Sequence, residues 1–275
     1  MTSPQPPHGT VRYEVDRGIA RITLDRPDSL NSMNDELMAD LSAAFGFVAG
    51  DGDVRVVVLT GEGRGFCSGA DLRNAASDEG GRTPDEVAES TVQGMDDVFN
   101  PAIRAIASCP VPTVARVNGV AAGGGLGLAL TCDITIAARS AFFVATFGPR
   151  LGICPDLGTT WSLPTRVGRA RALGLALLGD RFSADQAEQW GMIWQAVDDE
   201  ELDRAVGEVA ERLVRSSPAA MTRIRDAITT AGTRTFSDQL DVERDHQRVL
   251  IPRNMAEGAD AFLQRREPSF DGARY

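Results

Sequence analysis

The sequence predicts an α/β fold with a helical C-terminal region. Strand-like and helical segments alternate over the first two thirds of the 275 residues, and the last third reads as helix alone. In addition, two small-residue, glycine-rich junctions join a continuous apolar run to a helical segment. The length suits one large domain with its own core.

Residues 1–10, "MTSPQPPHGT", are polar and Pro-rich and are expected to form a disordered tail. A core is expected over 11–200 and a helical oligomerisation region over 201–275. "VRYEVDRGIARITLDRP" alternates apolar and polar residues on either side of Asp16-Arg17-Gly18, the pattern of a β-hairpin, and Pro27 ends the second strand. From Met33 to Val48 apolar residues recur at helical spacing, with Asn31 or Ser32 available as the cap. "VRVVVLTG", "PTVARVNG" (112–119) and "ITIAARS" (134–140) are apolar runs suited to strands buried on both faces.

Between the first two runs, "RNAASDEGGRTPDEVAES" reads as a mobile loop before a helix directed at Cys109. Beyond Leu163 the strands are expected to stop. "GRARALGLALLGD" reads as helix, and "SADQAEQWG" carries a Ser183 to Gln186 capping box with Gly191 at its end. Amphipathic segments then start near Glu200, Pro218, Phe236 and Arg253. A purely helical region of this length has to bury its apolar face on its own core or on a neighbouring subunit.

The formal net charge is −11 and the basic residues are scattered, which disfavours nucleic acid as a partner. No run of about 18 apolar residues is present, so no membrane span is expected, and the chain reads as cytoplasmic. Cys67, Cys109, Cys132 and Cys154 lie far apart and read as free thiols. No metal set is expected from these cysteines and two histidines. There is no lysine, which removes Schiff-base chemistry and a Walker A site. His8 lies in the tail and His246 in a charged helical run, so carboxylates and backbone amides are left to carry any catalysis.

Those amides are expected at the two junctions, "EGRGFCSGADL" after the first buried strand and "VAAGGGLGLAL" after the second. Each runs from strand through small residues into a helix, whose first N–H groups have no internal acceptor and sit at the positive end of its dipole. Two such junctions side by side make an oxyanion hole. A G-x-G-x-x-G fingerprint fails, with Leu128 or Phe66 at the third glycine, and Ser68 is offset from a nucleophile elbow. The alternative is that the glycines only allow close helix–strand packing.

"LDRPDSLNSMNDEL", "GRGFCSGADL", "VNGVAAGGGLGLALTCDI", "RLGICPDLGTTWSLPTRVGRARALGLALLGDRFSADQAEQWGMI" and "GADAFLQRREPSF" occur in order from about Val11 to Phe270. Together they resemble the crotonase superfamily of enoyl-CoA hydratases and isomerases. The stretches "NPAIRAIASCPVPTVARVNGVAAGGG" and "PDLGTTWSLPTRVGRARALGLALLG" look most like its phenylacetate-pathway ring-epoxide isomerase branch.

The resemblance implies a ββα superhelix spiral core and C-terminal helices that assemble a trimer, usually doubled to a hexamer. It implies an acyl-CoA thioester substrate, with coenzyme A part of that substrate and no other cofactor. The thioester oxygen would be held by the amides of Ala70 and Gly124. Coenzyme A contacts would come from Ser29, Leu30, Ser68, Ala70, Asp71, Leu72 and Gly124, and from Phe262 and Arg265 of a packed helix or adjacent subunit. The acyl pocket would be formed partly by the loop at 74 to 95.

Two positions depart from the hydratase pattern. Gly127 and Gly148 stand where hydratases carry the glutamates that activate water and handle the α-carbon proton. One carboxylate remains in that region: Asp156, in the otherwise apolar "GICPDLGTT". Desolvation there raises a carboxyl pKa, as a general base that also returns a proton requires. The alternative is an Asp that caps the next helix. In the superfamily this position matches the aspartate of dienoyl-CoA and ring-epoxide isomerases and the nucleophile of chlorobenzoyl-CoA dehalogenase. The expected activity is therefore an acyl-CoA isomerase. Alternatives are hydrolase or dehalogenase chemistry with Asp156 as nucleophile, hydration, and acyl-CoA binding without catalysis.

Overall fold

The computed structural model describes residues 4–73 and 81–274. Strands β1 (Val11–Asp16) and β2 (Ile19–Leu24) form the expected antiparallel hairpin. Its turn residues Arg17 and Gly18 both lie at positive φ, 47° and 81°, the backbone hand that matches strand twist in a two-residue turn. Helix α1 spans Asp35–Gly50 and is capped by Asn34, whose side chain accepts from the Leu37 amide. Asn31 and Ser32, the expected caps, have other partners. Asn31 sits at φ 55° and donates to the carbonyls of Glu62 and Gly65. The backbone carbonyl and hydroxyl of Ser32 accept from Arg26.

The chain then makes three ββα turns. The first has β3 (Val56–Gly61), β4 (Gly65–Cys67), α2 (Pro84–Gly94) and α3 (Asn100–Ala107). The second has β5 (Thr113–Val117), β6 (Val120–Ala122) and α4 (Gly124–Thr131). The third has β7 (Ile134–Ala138), β8 (Phe142–Val144) and α5 (Thr159–Leu178), which breaks at Gly168. Each turn gives one strand to each of two sheets. Strands β9 (Phe182–Ser183) and β10 (Gln195–Val197), flanking α6 (Ala184–Gln189), complete the orders β1-β2-β3-β5-β7-β10 and β4-β6-β8-β9. Pairing from β2 to β10 is parallel, so the middle of the large sheet needs cover on both faces, and every residue of β3 is buried. This is the predicted ββα spiral.

Several expectations change. Strands do not stop at Leu163, because β9 and β10 close both sheets; at two and three residues they are too short to show a period. Part of the expected loop, residues 74–80, lies outside the described residues, and its remainder becomes helix at Pro84 under a Thr83–Glu86 capping box. The disordered tail does not extend over residues 8–10. The backbone amides of His8 and Thr10 both donate to the buried carboxylate of Asp40 at 2.8 Å.

The expected boundary at 201 moves as well. Helix α7 (Leu202–Arg215) buries Leu202, Ala205, Val206 and Ala210 across β3, β5 and β7, so it belongs to the core. Helices α8 (Pro218–Ala231) and α9 (Phe236–Gln264) lie beyond it, and the segments expected at Phe236 and Arg253 are one helix of 29 residues. Helix α9 buries only Ala261 and packs chiefly on α8. Near the C-terminus, buried Arg274 donates to the carbonyls of Val48, Ala49, Asp51 and Val54 and satisfies the end of α1. Among the described residues no helix is long and apolar enough to cross a membrane.

Candidate active site

The first wall of the site is built by two segments laid side by side. The amide of Met33 donates to Gly69, that of Asp71 donates to Met33, and that of Ser68 donates to Leu30. The Ser68 hydroxyl adds a bond to the carbonyl of Ser29 at 3.0 Å. Ser29, Leu30, Ser68, Ala70 and Asp71 are thereby gathered, and Leu72 follows in the chain. Residue Ala70, bracketed by the Met33 bonds, turns its own N–H away from them, and no acceptor meets it among the described residues. The Asp71 side chain faces inward. Arg73 and Arg26 both bind its carboxylate and hold it well below the usual carboxylate range, against the opposing effect of burial. Its carboxylate is therefore part of the frame rather than a free group for a ligand. Arg26, which also donates to the carbonyl of Ser32, was not evident in the sequence, since it meets Asp71 only through the fold.

The second wall is α4. Gly123 sits at φ 52° and donates to Val144, and Gly124 opens the helix with an N–H that has no acceptor among the described residues. The two junctions meet here: a Cβ built on Gly69 lies 3.6 Å from the Gly124 nitrogen. The residue before Ala70 and the start of α4 therefore approach each other closely. Gly125 is required for the approach, because a Cβ there falls inside the Cys67 carbonyl, and one on Gly124 would press on the side chain of Leu157, 2.7 Å from its Cδ1. Arg166 fixes the other end of α4 by donating to the carbonyls of Leu130 and Cys132. Burial pushes the thiols of Cys67 and Cys132 up to about 12, so neither is a nucleophile at neutral pH.

Asp156 precedes Leu157 on the loop that faces α4. Burial raises its pKa above the ordinary value, partly offset by a bond to its own backbone amide, and no charged side chain contributes. It does not cap α5. Gly158 holds the cap position with no side-chain bond, and Asp156 contributes only its backbone carbonyl, which accepts from Thr159 at 2.9 Å. Amides without an acceptor among the described residues suit an oxyanion, and a desolvated carboxylate without a charged partner suits proton transfer.

Phe262 and Arg265 are not brought to this site within the chain. They lie at the end of α9, Phe262 is 83% exposed, and α9 packs chiefly on α8. His246 is likewise remote, its ring nitrogen 3.2 Å from Asp226. Three contributors escaped the sequence reading: Met33 and Leu157, which enclose Gly124, and Thr159, whose buried hydroxyl has no partner among the described residues.

Residues 14–273 match the family model described as enoyl-CoA hydratase/isomerase. The chain is 46% identical over 259 residues to the 1,2-epoxyphenylacetyl-CoA isomerase of Escherichia coli K12, covering 94% of this chain and 97% of that protein. It is 40% identical to a probable enoyl-CoA hydratase of Rhodobacter capsulatus, covering 96% and 98%. Among solved structures, the enoyl-CoA hydratase of Bacillus anthracis superposes with a TM-score of 0.88 at 29% identity, covering 96% of this chain and all of that one. By these matches and by its ββα spiral, the chain belongs to the enoyl-CoA hydratase/isomerase family.

Proposed function

We propose that this enzyme is an acyl-CoA isomerase in which one carboxylate moves one proton. The thioester oxygen accepts from the amides of Ala70 and Gly124, each worth on the order of 3 kcal/mol to the enolate by analogy with other oxyanion donors. Asp156 removes a proton from one carbon of the acyl group and returns it to another. Electrons shift through the enolate between the two events, and the carboxylate ends as it began. Coenzyme A arrives as part of the substrate, so the reaction needs no resident cofactor.

The observation that carries the reading is a half-buried, unpaired Asp156 next to Leu157, whose side chain lies against Gly124, with glycine at both hydratase glutamate positions. Water addition would need a second carboxylate. The likeness to a 1,2-epoxyphenylacetyl-CoA isomerase supports assaying ring-epoxide and other aryl-acetyl thioesters first. Coenzyme A is proposed to lie along Ser29, Leu30, Ser68, Ala70 and Leu72, with the backbone of Asp71 in the same wall. Phe262 and Arg265 are proposed to reach it from a neighbouring subunit.

The test is proton exchange in deuterated water against aryl, dienoyl and straight-chain CoA esters. Deuterium is expected at the donor and acceptor carbons of the isomerised product. Binding without exchange identifies a non-catalytic binder, and an adduct trapped on Asp156 and seen by mass spectrometry identifies nucleophilic chemistry. Either result overturns the proposal. A homotrimer or dimer of trimers is proposed from the apolar face that α9 exposes at Phe236, Leu240, Ile251 and Met255. Light scattering should return three or six times the 29.3 kDa chain mass.

A further inference from the structure

Gly127 is more than a missing glutamate. It lies three residues after Gly124 on α4 and shares its face. A Cβ on Gly127 would stand 2.7 Å from the backbone carbonyl of Leu157 and 2.7 Å from the Thr159 hydroxyl. The Leu157 side chain covers Gly124, so the turn that follows Asp156 rests on α4 at two points. That turn is closed by the Thr159 amide on the Asp156 carbonyl, with Leu157 at φ 48° and Gly158 at φ 75°. A non-glycine residue in the left-handed region is held there by its surroundings, and here the surroundings are the two glycines.

We propose that Gly127 is a positioning residue for Asp156: its bare Cα seats the Leu157 carbonyl and Thr159, and so sets how closely the turn that carries Asp156 lies on α4. This rests on the proton-transfer reading of Asp156.

The obstruction at Gly127 includes backbone, which cannot swing aside, so Gly127→Ala has to lift the turn. In the full-chain enzyme, kcat for isomerisation or solvent exchange should fall by about tenfold to a hundredfold, as misplacement of a reacting group by about an ångström does. KM should stay within about threefold, since the coenzyme A wall is untouched. The acid limb of the kcat profile should move to lower pH, because a lifted carboxyl regains water and no charged side chain biases it.

Thr159→Ala supplies a second reading. Its hydroxyl has no partner among the described residues, and its removal relieves one of the two close contacts that a methyl at 127 would make, leaving the Leu157 carbonyl in place. The loss caused by Gly127→Ala should therefore be smaller in the Thr159→Ala background. Wild-type kcat with an unmoved acid limb in folded Gly127→Ala overturns the positioning role, as does an equal loss in both backgrounds. If Gly127→Ala does not fold alone, kcat and pH profile of the double variant against Thr159→Ala decide. Asp156→Asn, run alongside, separates the two claims: full turnover there removes the proton-transfer reading itself.

Discussion

Asp156→Asn is expected to lose at least about a hundredfold in turnover while binding acyl-CoA thioesters as the parent does, because the change removes a general base without altering side-chain volume. The same variant should be at least as stable as the parent near neutral pH. The sign follows from its raised pKa. A carboxyl that is harder to ionise when folded contributes stability below its unfolded pKa, and that contribution is lost as pH rises through the folded value. Once ionised, Asp156 is a cost to the fold, and the amide removes that cost. In the parent, kcat should rise with pH along an acid limb set above the ordinary aspartate range, and in the variant that limb should vanish. Thermal unfolding, CoA-ester titration and a pH–rate series measure the three effects. A marked fall in stability, or parent-like turnover, would assign Asp156 to the frame instead of the chemistry.

Gly124→Ala should damage activity and fold together. Its methyl would meet Leu157 Cδ1 at 2.7 Å and the Met33 terminal methyl closer still. Both are ends of flexible side chains, so the core can yield, at about 1–3 kcal/mol for an overpacked site. To yield, Leu157 has to move, and it adjoins Asp156. The amide that opens α4 also shifts relative to Ala70. Losing one oxyanion donor costs about 10² to 10³ in kcat, so a drop of at least that size is expected, with the denaturant midpoint lowered. Parent-like kcat in a folded Gly124→Ala protein would remove this amide from the oxyanion hole.

How much of this was readable beforehand depended on how local the signal was. Strands β3, β5 and β7 showed themselves because strands covered on both faces are apolar throughout. Their companions β4, β6 and β8 have three residues each and no period to read, so the repeat that builds the spiral was invisible. The helix caps divide the same way. Ser183 was legible from its box with Gln186, whereas Asn31 was mistaken for a cap because its partners, Glu62 and Gly65, are more than 30 residues away.

The site follows suit. Two glycine-rich junctions announced free amides, and an apolar setting singled out Asp156. The Arg26–Asp71 pair, 45 residues apart, left no local trace. The sequence shows Gly127 as an absence, and only the packing of Leu157 and Thr159 shows what occupies the place. Phe262 and Arg265 stay unassigned within one chain because α9 leads them away from its own amide pair.

That helix also changes what the word stability can mean here. Twenty-nine residues that bury a single alanine against their own chain gain little from folding alone. In the proposed trimer their ordering would follow mass action, and the midpoint of unfolding is then expected to climb with protein concentration. Dilution then acts on catalysis as well: if a neighbour's helix end completes the coenzyme A cleft, activity per chain falls as the assembly parts, before any residue at the amide pair has moved.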